Sequence, residues 1–307
     1  MTRPRFARLS AASALGLSTL FGPIGPIGLP TAEAGSDPVV VAAGDIATCN
    51  SANDSATAGL VEGIPGTVLT LGDNAYPDGS AGDYSRCYGP TWGRPDIKSR
   101  TRPSPGNHEY VTRGAAGYFH YFGVAAGDPG KGWYSVNLGA WHLVSLNSNC
   151  ISGCGPGSPM ERWLKADLAA SPHRCILAYW HHPRFFSPAI EPGASHLETT
   201  DTHMSAIWSD LQAAGADLVL SGHRHVYERF PRQDSGGHLD PSGVRQFIVG
   251  TGGALHETFK GKPAAHSEVR KDQTFGVLKL TLHPGGYDWR FIPTAGGFSD
   301  SGSDTCG

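Results

Sequence analysis

The sequence predicts an α/β fold built around a parallel strand–helix–strand core, and three observations carry that prediction. Continuous apolar runs at Val39–Ala43, Val68–Leu71, Cys175–Trp180 and Leu218–Leu220 read as strands covered on both faces. A modest helical stretch over 51–62 separates the first two, the spacing of a βαβ unit. Each run ends in Gly-Asp, His-His or Gly-His, at the carboxyl edge where open α/β sheets place their ligands.

Taken in order, Val39–Ala43 runs into Gly44-Asp45, and Thr70-Leu71 runs into Gly72-Asp73-Asn74-Ala75-Tyr76. Both aspartates should therefore emerge on one edge of one sheet. Residues 77–106 read as a Pro/Gly-rich loop with a short helix around Tyr84, ending in the rigid turn Pro103-Ser104-Pro105-Gly106. That turn aims Asn107 and His108 inward, and 110–132 reads as an aromatic loop walling a cleft. Trp133–Val136 and Ala140–Leu146 are expected to pair antiparallel about Leu138-Gly139. Ser158-Pro159-Met160-Glu161 is a helix start, with Ser as N-cap and Pro in the first position. Loop 184–200 precedes a helix at about 201–214, whose apolar face is Met204, Ile207, Trp208 and Leu211. Gln246–Val249 runs into Gly250-Thr251-Gly252-Gly253, which lacks the lysine and spacing of a phosphate loop and is read as close packing beneath the site. Phe275–Leu282 and Tyr287–Ile292 alternate as a terminal hairpin.

With 307 residues, 17% of them charged, 42 Gly and 23 Pro, the chain has a loop-rich globular composition. A net charge of −3 gives no basic surface for nucleic acid, so none is expected as a partner. Arg3, Arg5 and Arg8, an uncharged stretch to Phe21 and the small-x-small Ala32-Glu33-Ala34 have the layout of a secretory signal peptide over 1–34. The expected mature part, 35–307, is one catalytic domain, exported with no membrane anchor. Its charge is −5, from 21 Lys+Arg against 26 Asp+Glu. All six cysteines fall in it, and an oxidising compartment favours disulfides. Six cysteines allow fifteen pairings, which the sequence leaves open. Cys150–Cys154 is the leading pair, and Cys49–Cys87 with Cys175–Cys306 completes the working set. Cys-x3-Cys without a second such pair is poor support for a zinc site.

Collected, the strand-end polar residues are Asp45, Asp73, Asn107, His181, His223 and His225, with Tyr76 three residues after Asp73. Any one of them could cap a helix, close a turn or sit satisfied in a core. Several such motifs, each following an apolar run or a rigid turn, form the kind of Asp/Asn/His set that hard-to-intermediate cations take. The motifs Gly44-Asp45, Gly72-Asp73-Asn74-Ala75-Tyr76, Gly106-Asn107-His108-Glu109, Trp180-His181-His182-Pro183 and Gly222-His223-Arg224-His225 stand in the order of the metallophosphoesterase superfamily. Over about 38–253 the chain resembles its purple acid phosphatase branch. It has Asp45-Ile46-Ala47 where the wider superfamily usually has Asp-x-His, and it supplies Tyr76 as that branch does.

The resemblance implies a four-layer αββα sandwich of two mixed β-sheets flanked by helices. It also implies two metal ions. Fe(III) would take Asp45, Asp73, Tyr76 and His225, and Zn, Mn or Fe(II) would take Asp73, Asn107, His181 and His223. The implied chemistry is hydrolysis of a small phosphomonoester by in-line attack of a metal-bound hydroxide, with a phosphodiester or nucleotide as the alternative substrate and a non-catalytic metal-binding protein as the remaining reading. His108 is the expected catalytic residue. Substrate contacts are expected from Asn107 and His108, with His182 and His196 as further candidates, and His203 lies in the same loop region as His196. Tyr227, Glu228 and Arg229 are expected to orient His225, and the oligomeric state is left open.

Overall fold

Buried, β-prone runs at the start of the chain form β1 (Val39–Ala43) and β2 (Thr67–Leu71), joined by helix α1 (Asn53–Glu62). The computed structural model describes residues 37–190 and 201–307; the expected signal segment and His196 lie outside the described residues. Helices α2 (Ala81–Asp83) and α3 (Pro95–Ser99), with a wide-turn helical segment at Tyr84–Tyr88 between them, lead to β3 (Thr101–Ser104). Helices α4 (Asn107–Val111) and α5 (Ala116–Phe122) follow, then β4 (Tyr134–Leu138), β5 (Trp141–Ser145), α6 (Pro159–Ala170), β6 (Cys175–Tyr179) and β7 (Ala189–Ile190). The remainder comprises α7 (Ser205–Ala213), β8 (Leu218–Ser221), β9 (Tyr227–Gln233), β10 (Val244–Val249), β11 (Thr258–Phe259) and β12 (Val269–Lys271), and closes with β13 (Gly276–His283), β14 (Gly286–Pro293) and β15 (Ser301–Thr305).

Two large mixed sheets result, one ordered β15-β14-β13-β1-β2-β3 and the other β12-β9-β10-β8-β6-β5-β4, flanked by helices. Period-two alternation sorts side chains between the layers. Along β6, Cys175, Leu177 and Tyr179 join the large core that the first sheet shares, whereas Ile176, Ala178 and Trp180 pack with Met160, Leu164, Ile207, Trp208 and Leu211 from the helical side. Each fully buried Leu, Ile or Met among them contributes about 1.5–3 kcal/mol, which is why these runs carry no polar alternation.

Parallel pairing aligns the strand ends. Ala43 stands beside Thr70, and Leu71 beside Ser104, so the loops carrying Asp45, Asp73 and Asn107 leave the first sheet side by side. Tyr179 stands beside Leu220 in the second sheet, which brings His181 and His223 out together.

Two expected loops are largely structured. Within 77–106 the chain forms helical turns and the strand β3, an edge strand, which is where Pro103 is tolerated because no ladder donor is lost. Within 110–132 it forms α5, too short to show helical periodicity. Tyr84, Tyr88, Tyr118, Tyr121 and Phe122 hold this region through edge-on and stacked ring pairs. The segment after His225 also continues as strand β9, paired to both β10 and β12. All three disulfides of the working set form: Cys49–Cys87, Cys150–Cys154 and Cys175–Cys306.

Candidate metal centre

Four glycines let the ligand-type residues approach one another. A Cβ on Gly106 would lie 2.1 Å from Asp73 Oδ1, and one on Gly222 would lie 2.6 Å from Asp45 Oδ2. Gly72 meets the His181 ring in the same way, and Gly44 abuts Leu71. The residues after three of these glycines take left-handed backbone, with φ of 58° at Asp45, 48° at Asp73 and 68° at His223. Such strain in non-glycine residues persists where the surrounding structure over-determines it, and it concentrates at functional sites.

The seven expected ligand residues converge in two groups that share Asp73. In one group the Tyr76 hydroxyl lies 3.2 Å from Asp45 Oδ1, 3.2 Å from Asp73 Oδ2 and 3.1 Å from His225 Nε2. In the other, His181 Nε2 lies 3.2 Å from Asp73 Oδ2 and 3.0 Å from Asn107 Oδ1, which is itself 3.1 Å from His223 Nδ1. Backbone bonds tie the loops together: His223 N–H donates to Asp45 Oδ2 and His108 N–H to Asp73 Oδ1. Asp45, Asp73 and His181 are almost wholly buried.

The donor chemistry of these groups fits cations. His181 turns Nδ1 to the Leu71 carbonyl at 2.9 Å, and His225 turns Nδ1 to the Leu255 carbonyl. Each ring N–H is spent on a carbonyl, so each neutral ring presents an Nε2 lone pair to carboxylate oxygen. One phenolic hydrogen at Tyr76 likewise faces three acceptors. Lone pairs gathered at 3.0–3.2 Å repel unless positive charge lies among them. Side chains offering Asp45, Asp73 and His181 oxygen and nitrogen, and a second set from His181, His182 and His223, come within 4.8 Å of each other.

The same crowding moves the titrations. Burial raises Asp73, but the adjoining His181 and His108 outweigh it and hold the carboxyl well below its usual range. Burial lowers His181, yet the Asp73 and Asp45 carboxylates bring it up to about 9, so without a cation the ring takes a second proton on Nε2, and a metal ion would displace that proton and leave the neutral ring as ligand. Burial, then Asp73 and Asp45, push the Tyr76 phenol well above its ordinary value; a cation in their midst would reverse that direction.

His108 stands at the rim, its side chain about a third exposed, with Nε2 3.9 Å from Asp73 Oδ2 and its ring 4.4 Å from that of Tyr76. His182 packs its ring 4.4 Å from the His223 ring. Tyr227, Glu228 and Arg229 do not orient His225 through their described contacts. Tyr227 and Arg229 bond Asp300, and Glu228 takes the Ser187 N–H, because β9 carries them away from the site. His225 is held instead by the Leu255 carbonyl and by Glu257, which accepts its backbone N–H. Gly250 and Gly252 pack against Arg224 and Gly44 beneath the site, as expected of close packing.

One residue with no role assigned from sequence is central. Glu109, fully buried, accepts from the backbone N–H groups of Asp73, Asn74 and Gly106 at 3.0, 2.9 and 2.7 Å and from the Tyr84 hydroxyl at 3.0 Å. It joins the Asp73 loop to the Asn107 loop. Its position, third after the Gly106 cap of α4, lets it take the cap's backbone N–H as the glutamate of a capping box does, and that Gly-x-x-Glu spacing is the signal that could have found it.

Two mixed sheets face to face, with Asp, Asn, Tyr and His side chains gathered at one edge, define the metallophosphoesterase class. Comparison with known proteins agrees: the chain belongs to the calcineurin-like phosphoesterase family, whose description matches residues 38–227. Among curated relatives, it is 26% identical over 261 residues to purple acid phosphatase 15 of Arabidopsis thaliana, covering 74% of this chain and 47% of that one. To purple acid phosphatase 22 of the same plant it is 31% identical over 156 residues, covering 50% and 35%. The chain thus spans about half or less of the length of these relatives. In fold it is similar to a purple acid phosphatase from yellow lupin (Lupinus luteus) seeds, with TM-score 0.67, 18% identity and coverage of 87% and 53%. It is also similar to GAP50, the anchor in the inner membrane complex of Plasmodium, with TM-score 0.60, 12% identity and coverage of 87% and 88%. The family implies a dinuclear metal centre.

Proposed function

We propose that this protein is an exported phosphatase that hydrolyses small phosphomonoesters at a two-metal centre of the purple acid phosphatase type. The observation that carries the reading is the pair of donor groups sharing Asp73, both poor in hydrogens. Asp45, Asp73, Tyr76 and His225 would hold a trivalent ion such as Fe(III), since two carboxylates and a phenolate concentrate negative charge there. Asp73, Asn107, His181 and His223, with one shared carboxylate and otherwise neutral donors, suit Zn, Mn or Fe(II). When bound, the two ions would activate water as the nucleophile and offset charge at phosphorus.

This chain's own residues would supply the rest. Asn107 starts α4 and presents its carbonyl to the ring nitrogens of His181 and His223. His108 turns Nδ1 to the Pro77 carbonyl, which leaves Nε2 on the side of the centre, 3.9 Å from Asp73 Oδ2. From that nitrogen the ring can donate to a leaving oxygen only as imidazolium, the role of a general acid. Export is supported by three disulfides, and no described helix is long and apolar enough to cross a membrane.

The architecture also occurs in GAP50, described as an anchor, so the fold does not decide catalysis. Metal analysis of the purified chain, with rates on an aryl phosphate and a bis-aryl phosphate, tests the reading. We expect two ions per chain and preference for the monoester. Preference for the diester moves the assignment to a phosphodiesterase, and loaded but inactive protein leaves a metal-binding role. A tyrosinate–Fe(III) absorption band should colour the iron-loaded protein and vanish in Tyr76→Phe; a colourless iron-loaded protein removes the trivalent-iron assignment.

A further inference from the structure

We propose that His182 donates a hydrogen bond from Nε2 to a non-bridging phosphoryl oxygen of the bound ester, and that Ser148 is the positioning residue that makes it a donor. This rests on the phosphatase reading and adds a phosphate contact specific to this chain. His182 directly follows His181 on the loop after β6. A ring nitrogen of His182 lies within 4.8 Å of ring nitrogens of both His181 and His223. It is therefore close to the second group of donors without taking part in the contacts that join Asp73, Asn107, His181 and His223.

The tautomer follows from counting hydrogens. Ser148, almost fully buried, has one hydroxyl hydrogen. Its Oγ accepts the backbone N–H of His182 at 3.0 Å and lies 2.9 Å from His182 Nδ1. Nδ1 is the acceptor available to the hydroxyl hydrogen, so the neutral ring carries its proton on Nε2. A neutral N–H beside a pair of cations suffers less repulsion than an imidazolium would, and it still satisfies an anionic oxygen.

The surroundings fix both partners. Trp180 Nε1–H donates to the His182 carbonyl at 2.7 Å, so the His182 backbone is held at both its N–H and its C=O. His203 donates from Nε2 to the Ser148 carbonyl at 2.9 Å, while its Nδ1 faces Asp201. The Cys150–Cys154 bridge closes the loop two residues on. A hydroxyl placed this firmly selects one tautomer, as partners of active-site imidazoles do.

The test uses the full zinc-loaded protein and inorganic phosphate as the probe, with Ser148→Ala, His182→Ala, His182→Gln and the Ser148→Ala/His182→Ala double variant. Nitrogen-15 shifts of the His182 ring should report a protonated Nε2 in the parent and lose that preference in Ser148→Ala. Phosphate inhibition constant and KM should both rise about tenfold in each alanine variant, the loss expected of one hydrogen bond to a charged group, with zinc stoichiometry unchanged. The double variant should bind phosphate no more weakly than His182→Ala alone, and His182→Gln, which keeps an N–H donor, should recover part of the loss. A ring protonated on Nδ1 in the parent overturns the proposal. So does loss of the second ion in His182→Ala, which would make His182 a metal ligand, and so does unchanged phosphate affinity in the alanine variants. A parent protein that holds neither zinc nor phosphate overturns the phosphatase reading itself, and this proposal with it.

Discussion

Buried charge is handled in opposite ways at two places in this molecule. Where β9 and β10 meet β14 and β15, each acidic group faces a guanidinium. Arg229 pairs with Asp300 at 2.7 Å, and Arg232 and Arg245 share Asp304 at 3.1 and 3.3 Å. Arg229 and Arg245 also sit over the Trp289 ring. At the ligand edge, Asp45 and Asp73 are more deeply buried, and among the described residues neither has a Lys or Arg within ion-pair distance; their partners are histidines. The first region is complete as protein and zips the two sheets together. The second is short of positive charge, and that deficit is what a pair of cations would fill.

The largest expected effect comes from the anionic hub. Glu109→Gln puts an amide N–H₂ among backbone N–H donors that now share a carboxylate. Turnover should fall more than about a hundredfold, the scale of a misplaced catalytic geometry, with weaker ion retention by metal analysis. Retained ions and near-normal turnover would show that the two loops hold their spacing without Glu109.

His108→Ala should cost at least about tenfold in turnover with both ions retained, since its ring touches the centre only from the rim. A normal rate would reassign the proton donor. In the matched region the effect should be on stability alone. Asp300→Ala leaves Arg229 with Glu268 alone and the Tyr227 hydroxyl without its acceptor and should destabilise the fold by about 2–3 kcal/mol, read by denaturant unfolding, while the rate per folded molecule stays the same. A specific loss of activity would mean that the two regions communicate.

The smallest effect lies at the opposite end of β8. Burial, moderated by the Ile176 and Gly307 N–H groups, raises the Asp217 carboxyl to about 6. Its folded value exceeds the unfolded one, so the folded state binds the proton more tightly. Stability from this group is present at low pH and declines as pH rises from about 4 to about 6. Asp217→Asn should flatten the melting temperature across that window; an unchanged slope would assign the dependence elsewhere.

Much of the site was legible because its residues obey a local rule: each follows a buried run or a rigid turn, and parallel pairing does the rest. Asp45 and Asp73 could be placed on one edge from the βαβ spacing alone. Strand β3 was hidden by its proline, and α5 by its length, since its aromatic residues are helical through packing across the fold. The partners of His225 were misjudged for a related reason. Sequence neighbours Tyr227 to Arg229 leave along β9, whereas the Leu255 carbonyl that holds the ring and Glu257, which takes the backbone N–H, come from a loop about thirty residues away. Ser148 gave no signal either, because its role depends on a hydroxyl meeting a ring from another strand.

The glycines before Asp45, Asp73, Asn107 and His223 have a consequence for mutational tolerance. Because neighbouring chain segments touch where a side chain would begin, saturation libraries at positions 44, 72, 106 and 222 should return glycine almost exclusively. Altering ion preference by design therefore has to proceed through exchange of the donor side chains themselves, since reshaping the loops that carry them is closed off.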